Sequence, residues 1–223
     1  MKKIKKIAIF FNSVRGYKVY NKLSKNYKIN IFLFKKNLNL KILKSLKKKK
    51  ANYKIIKNFE KKTQKLITKS NYDLFISAGF PLIFPKTLMN FPRYKTINLH
   101  AGKLPEYRGG SPLNWQIINE EKFIFINIIK MNEFLDEGDI YLTKFFSLKK
   151  NDTIKSVHKK VNNYFPIMTL NVINMLNKKI KPIQQIKKGV RYYKQRSDYD
   201  GLINWSKLDA NQVYNFVRAI TKP

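Results

Sequence analysis

An amide, an imidazole and a carboxylate recur in this chain at a spacing that could serve a single carbonyl group. Asn98 and His100 stand two apart at the end of an apolar run, and Asp136 follows 38 positions after Asn98, within Leu135, Asp136, Glu137, Gly138 and Asp139. Successive strand residues point to opposite faces, so Asn98 and His100 share a face while Leu99 turns away. When an amine attacks a carbonyl carbon, charge moves onto the oxygen, where Asn98 can donate a hydrogen bond worth about 3 kcal/mol at comparable oxyanion sites. An imidazole titrates near neutrality and can relay the proton that the amine loses. Asp136 would orient the ring and help carry protons, through water where direct contact is too long. Together the three suit one-carbon acyl transfer to an amine. Singly, each has a plainer account, because a strand-end histidine often serves structure and Asp-x-Gly-Asp is common in turns.

Positioning three such groups requires a sheet edge, and the flanking sequence supplies one. Residues 6–11 fit a buried parallel strand, Gly16 a turn, residues 17–25 a helix and residues 27–34 a second strand, which together make a βαβ unit. No GxGxxG follows the first strand, so the dinucleotide fingerprint is absent. A lysine-rich, partly helical stretch at 35–50, a strand at 53–56 and a helix at 59–68 follow. Residues 73–77 read as a central strand ending at Ala78 and Gly79, with Pro81 and Pro85 forcing an extended loop. Ligands of doubly wound sheets bind beyond the carboxyl ends of the strands. That loop is therefore a candidate site, and the next strand, 94–99, brings Asn98 and His100 to the same edge.

Ser111 is placed to cap a short helix running to residue 118, with Pro112 in its first position. Two β-rich runs, 123–131 and 140–148, precede a long helix expected to be capped by Asp152 and interrupted or kinked at Pro166. Asp209 and Gln212 form a capping box for a last helix. The expectation is an α/β protein with a doubly wound, mostly parallel sheet over residues 1–180. Residues 181–223 are expected to be a linker and the opening of a small, incomplete C-terminal module.

Lys and Arg number 47 against 13 Asp and Glu, a net charge of +34. Such a surface attracts phosphates, nucleic acid or anionic lipid. The excess is nearly all lysine and comes with abundant Asn, Ile, Phe and Tyr, a composition bias that yields solvated charge without function. Charge alone does not decide the partner. Without cysteine and with only two histidines, the chain offers little to a metal, and none is expected. No apolar run reaches the roughly 18 residues needed to span a bilayer. The basic, apolar start lacks a small-residue cleavage site and reads as a strand rather than a signal peptide. A cytoplasmic protein without membrane insertion is expected, with a homodimer as one assembly open to it.

Asn98-Leu99-His100, then Leu104, Pro105, Tyr107, Arg108 and Gly109, and later Leu135, Asp136, Gly138 and Asp139, resemble the signature of the formyltransferases that use N10-formyltetrahydrofolate. The resemblance implies a Rossmann-like fold, with Asn98, His100 and Asp136 as the catalytic set. Phe80, Leu82, Ile83 and Phe84 match the loop whose backbone receives the pterin ring, and Asp139 joins them on the cofactor side. Arg108, Ser111 and Trp115 are the implied substrate contacts, although Arg108 serves equally well as a structural residue beneath the Gly109-Gly110 turn. Residues 201–206 and 218–223 resemble the join to a further β-rich module. Residues 111–115 are more like the sugar N-formyltransferases than the methionyl-tRNA enzymes, and residues 35–50 lack the Gly and Pro of the tRNA-binding insertion. A nucleotide-linked amino sugar is thus the expected acceptor, with methionyl-tRNA the alternative.

Overall fold

A computed structural model describes residues 3–221. In chain order its elements are β1 (Lys6–Phe10), α1 (Val14–Leu23), β2 (Lys28–Phe34), α2 (Leu40–Lys48), β3 (Tyr53–Ile56), α3 (Lys61–Thr68), β4 (Leu74–Ser77), α4 (Lys86–Asn90), β5 (Thr96–His100), β6 (Arg108–Gly109), α5 (Pro112–Ile118), β7 (Phe123–Lys130), β8 (Ile140–Ser147), α6 (Ile154–Asn177), β9 (Tyr192–Tyr193) and α7 (Ala210–Ile220). Seven strands form one sheet in the order β3-β2-β1-β4-β5-β7-β8. The first five run parallel, and β7 and β8 join antiparallel. This is the expected α/β, Rossmann-like, mostly parallel architecture.

The central strands β1 and β4 are buried on both faces, and residues that alternate along the inner strands enter separate cores. Ile7 and Ile9, Ile31 and Leu33, and Leu74 and Ile76 face α1 and α6, whereas Ala8 and Phe10, Phe32 and Phe75 face the other way. Phe10 centres that second core. Its ring stacks on Phe32 at 4.9 Å and meets Phe75, Phe80 and Phe84 edge-on at 5.2, 5.6 and 4.9 Å. Offset and edge-to-face pairs of this kind add to simple burial. The aromatic core therefore pins both ends of the loop at residues 80–84.

Several local expectations are corrected by the structure. Gly16 lies inside α1 rather than in the turn before it, and its lack of a side chain serves close packing: a Cβ there would stand 2.2 Å from the Phe11 Cβ. Helix α6 continues through Pro166: the proline removes a single backbone donor, and buried residues on either side, from Val157 to Val172, hold the helix against the core. Thr153, not Asp152, is the N-cap of α6, in a capping box with Ser156, while Asp152 accepts from Ser156 Oγ, Lys149 N–H and Lys160 Nζ. Ser111 adopts a left-handed backbone, φ 47°, and does not cap α5. Its hydroxyl instead accepts from Gln195 Nε2 and the Arg196 N–H. The Asp209–Gln212 capping box on α7 forms as expected.

The chain after α6 packs back onto the rest. Ile183 bridges to Ile140, and β9 pairs in parallel with β6. Arg218 of α7 donates to the carbonyls of Lys149, Lys150 and Asp152, and Asn114 of α5 donates to the Ala219 carbonyl. Of the sequence stretches matched to the join, Lys222 and Pro223 lie outside the described residues. Among the described residues, no helix is long and apolar enough to cross a membrane.

Candidate active site

Strand β5 pairs with β4 on one side and β7 on the other, so Asn98 and His100 sit at the carboxyl edge of the parallel strands. Leu99 and Ile97 enter the α1–α6 core, leaving the polar pair on the opposite face. Asp136 meets both residues. Asn98 Nδ2 donates to Asp136 Oδ1 at 3.2 Å, and His100 Nδ1 lies 3.3 Å from Asp136 Oδ2. The His100 and Asp136 side chains are 5% and 7% exposed, which shields their interaction from solvent.

The backbone around these groups is closely fitted. His100 Nε2 is 2.6 Å from the Tyr107 carbonyl. Both ring nitrogens thus face acceptor oxygens, so a neutral ring satisfies one of them and a proton gained on the other nitrogen satisfies both. A Cβ on Gly102 would stand 2.5 Å from His100 Nε2 and 2.6 Å from the Tyr107 carbonyl, so only glycine allows that contact. Burial, reinforced by its hydrogen bond to Glu121, holds the Tyr107 hydroxyl well above the usual phenol range. Asp136 has φ 54°, a left-handed conformation uncommon for residues other than glycine. It is kept there by the Gly109 N–H, which donates to Oδ2 at 3.0 Å, and by Gly138, where a Cβ would collide with the Lys130 carbonyl at 1.6 Å.

Two cavities meet at this cluster. The first, about 280 Å³, is lined by Phe80, Leu82, Ile83, Phe84 and the 131–138 turn, and the second, about 730 Å³, by His100, Gly110, Ser111, Asn114 and Gln195. Asn98, Asp136, Phe80, Pro81 and Leu135 line both. Phe80 and Phe84 are anchored in the core, while Ile83, 87% exposed, projects at the rim. The four loop residues expected on the cofactor side therefore all border the first cavity. Asp139 borders neither: its carbonyl accepts from the Lys130 N–H and its carboxylate lies beside Tyr141.

The expected acceptor contacts divide. Ser111 lines the second cavity. Trp115 is turned aside, its Nε1 donating to the Lys194 carbonyl and its ring facing Tyr193 at 5.4 Å. Arg108 is buried, and its guanidinium donates to Glu137 at 2.8 Å, the Tyr192 hydroxyl at 3.0 Å and Gln185 Oε1 at 3.0 Å. Of its two readings, the structural one fits: its charge is taken up within the protein.

Residues that the sequence did not single out complete the second cavity. Arg15 Nη1 donates to the Leu99 carbonyl at 3.1 Å, but Nε is sealed from solvent without a hydrogen-bond partner, and the guanidinium lies 4.9 Å from the Phe165 ring centre. Burial lowers its pKa to about 10. His158 stands next to it, lowered to about 4 by burial and then by the Arg15 charge, so its ring is neutral at pH 7. Both residues line the second cavity and a third, of about 600 Å³, bordered by Lys18, Lys155 and Lys159 and by no acidic residue. The third cavity opens at the start of α1, where the Ser13 side chain makes no capping bond. Among the described residues, no group of three or more His, Cys, Asp or Glu could hold a metal ion.

An amide, an imidazole and a carboxylate in contact at the carboxyl edge of a parallel sheet, with a cavity on each side, form an arrangement that suits group transfer between two substrates. The Formyl transferase family matches residues 11–173, and the chain belongs to that family. It is 34% identical over 218 residues to the bifunctional polymyxin resistance protein ArnA of Wigglesworthia glossinidia brevipalpis, covering 96% of this chain and 29% of that protein. It is 30% identical over 156 residues to the methionyl-tRNA formyltransferase of Prochlorococcus marinus subsp. pastoris, covering 66% of this chain and 47% of that one. The chain thus spans less than half the length of either relative. Among solved structures it resembles a 4-N formyltransferase from Francisella tularensis, with a TM-score of 0.78, 25% identity, and coverage of 100% of this chain and 90% of that chain. The fold is also that of an N-formyltransferase from Helicobacter canadensis in complex with folinic acid and dTDP-3-aminofucose, with a TM-score of 0.76, 16% identity, and coverage of 97% and 80%.

Proposed function

We propose that this chain transfers a formyl group from N10-formyltetrahydrofolate to the amine of a nucleotide-linked amino sugar. The observation that carries the reading is the wall shared by two cavities, formed by Asn98 and Asp136. A donor in one and an acceptor in the other would meet only there, and holding both at one point supplies much of the acceleration in such reactions. The first cavity suits a flat heterocycle, being walled by an apolar loop and by turn backbone able to pair with ring nitrogens. N10-formyltetrahydrofolate supplies the activated formyl carbon.

Each residue then has a task. Asn98 uses one Nδ2 hydrogen on Asp136 and has a second for the formyl oxygen as the amine's lone pair forms the new C–N bond. Asp136 and His100 take the proton that the amine sheds. As the carbonyl reforms, the bond to the folate nitrogen breaks, and the proton passes to that nitrogen, leaving a formamide and tetrahydrofolate. The third cavity favours an acceptor bearing phosphates: Arg15, Lys18, Lys155 and Lys159 surround it without a carboxylate, and clustered cations without counter-ions bind phosphate through charge-assisted bonds. The same cations, with the similarity to a methionyl-tRNA formyltransferase, support methionyl-tRNA as the second reading. In both, the catalytic unit runs past residue 180, because residues 181–196 hold Ser111, Arg108 and Asp136.

The test is tetrahydrofolate release from N10-formyltetrahydrofolate against a panel of amino-sugar nucleotides and charged methionyl-tRNA. Turnover with a sugar nucleotide and none with the tRNA is expected. Turnover with tRNA alone overturns the sugar assignment, and turnover with neither overturns both.

A further inference from the structure

Gln185 lies in the irregular segment between α6 and β9, far in sequence from every residue of the triad, yet it is buried directly beneath the Asp136 turn. Its Nε2 donates to the Asp136 carbonyl at 2.8 Å and to the Gly138 carbonyl at 2.7 Å. Its Oε1 accepts from Arg108 Nη2 at 3.0 Å and Nε at 3.3 Å. One amide thus uses both donor hydrogens on the backbone of the turn and its oxygen on the residue preceding Gly109, whose own N–H grips the Asp136 carboxylate. Asp136 needs such support. It is a non-glycine residue in a left-handed conformation, and a conformation of this kind persists only where its surroundings over-determine it. The neighbouring ion pair of Arg108 with Glu137 ties the next residue of the same turn.

We infer that Gln185 is a positioning residue: it clamps the Asp136–Gly138 turn and, through that turn, sets the carboxylate against Asn98 and His100. The inference rests on the formyl-transfer reading for its kinetic consequence but not for its geometric one. Gln185 touches neither cavity, so its effect reaches the chemistry only through Asp136. Loss of the clamp displaces the carboxylate at the shared wall, while the Phe80–Phe84 loop of the first cavity and the Arg15 and Ser111 side of the second make no contact with Gln185.

Two variants of the full chain separate the contacts. Gln185→Glu keeps an oxygen for Arg108 and loses the paired donors to the turn, whereas Gln185→Met loses both. Each is expected to lower kcat about 10- to 100-fold, the scale of a small misplacement of catalytic groups, with the acceptor KM within about twofold of the parent. A second readout is independent of turnover. The chain has two histidines, so the His100 ring resonances can be assigned by NMR with the help of His158→Gln. In both Gln185 variants they should move toward their positions in Asp136→Asn. Parent-like ring resonances in Gln185→Glu, or a fall in kcat confined to Gln185→Met, would overturn the clamp and leave Gln185 a partner of Arg108 alone. If the parent protein shows no formyl transfer, the functional reading fails, and the ring resonances alone decide the clamp.

Discussion

The two sides of the second cavity are built on opposite principles. On the Asp136 side each polar group of the triad already has a protein partner: the carboxylate meets Asn98, His100 and the Gly109 N–H, and the imidazole meets Asp136 and the Tyr107 carbonyl. On the Arg15 side a guanidinium is half satisfied, a histidine is neutral beside it, and three lysines border the adjoining cavity without an acid. The first arrangement is pre-organised, so that little must be reordered as charge develops. The second is costly in the free protein, because a buried charge without a counter-ion is destabilising, and an entering anion would complete it. On the proposed formyl-transfer reading, one side would serve turnover and the other recognition. Substitutions should therefore separate the two.

The largest effect is expected at the shared wall. Asn98→Ala should lower kcat by roughly 10²–10³-fold, the loss seen when an oxyanion donor is removed, and Asp136→Ala by roughly 10²–10⁴-fold, the scale of a general acid–base group, both measured as tetrahydrofolate release at saturating acceptor. If either kept near-parental kcat and raised only KM, the division between the two sides would collapse. Next in size is Arg108→Met. It leaves the buried Gln185 oxygen without its donor and the one-third exposed Glu137 without its ion pair, and should cost about 1–3 kcal/mol of stability, read as a lower midpoint in urea with unchanged slope. A rise in acceptor KM without loss of stability would return Arg108 to the substrate-binding role.

How much of this was legible in the sequence depends on the range of the contact. The strands were readable because residues such as Ile7, Ile9, Leu74 and Ile76 form short apolar runs, and the Asn98/His100 pair because strand periodicity alone puts both on one face. The turn at Gly138 was readable as a motif. The Ser111 cap fails because its backbone has a positive φ and its hydroxyl is taken up by residues 195 and 196, far along the chain. Thr153 and Asp152 differ by one position, and both are good caps. Arg15, His158 and Gln185 carried no local signal: their roles exist only where α1, α6 and the 181–196 segment are brought against the rest of the chain. Gly102 had a faint one, as a glycine two residues after a candidate catalytic histidine.

A third prediction probes the recognition side. Arg15→Gln should raise the KM for a phosphate-bearing acceptor about tenfold while leaving kcat near the parental value, since the Leu99 carbonyl keeps a donor and the triad is untouched. The parental KM should also rise with salt, because contacts between charges and phosphates are screened, and that salt dependence should weaken in the variant. The thermal midpoint of the free protein should be unchanged or higher, because the variant removes a buried charge that has no counter-ion. A lower midpoint with unchanged KM would mean that Arg15 serves packing against Phe165 rather than an anion.

The smallest effect expected is on the pH dependence of stability, and it follows from His158. Its pKa falls from 6.5 in the unfolded chain to about 4 in the fold, through burial and the adjacent Arg15 charge. Between those values the unfolded chain binds the proton and the folded one does not, so the stabilisation is fully present above pH 6.5 and is lost progressively as pH falls toward 4. Because the ring partly faces a cavity, the loss should be about 1–2 kcal/mol. Asp152, which burial alone would raise, is held below its usual range by Lys160, Ser156 and the Lys149 N–H, so its own loss of stabilisation lies at lower pH, below the ordinary carboxylate range. Urea unfolding of the parent and of His158→Gln between pH 4 and 7 separates the two, since only the parent should weaken across that window. Saturating inorganic pyrophosphate gives the sharper form of the comparison. An anion against Arg15 offsets the charge that disfavours a protonated His158, so the acid weakening should shrink when it is bound. An unchanged window would mean that the anion does not reach the Arg15–His158 pair.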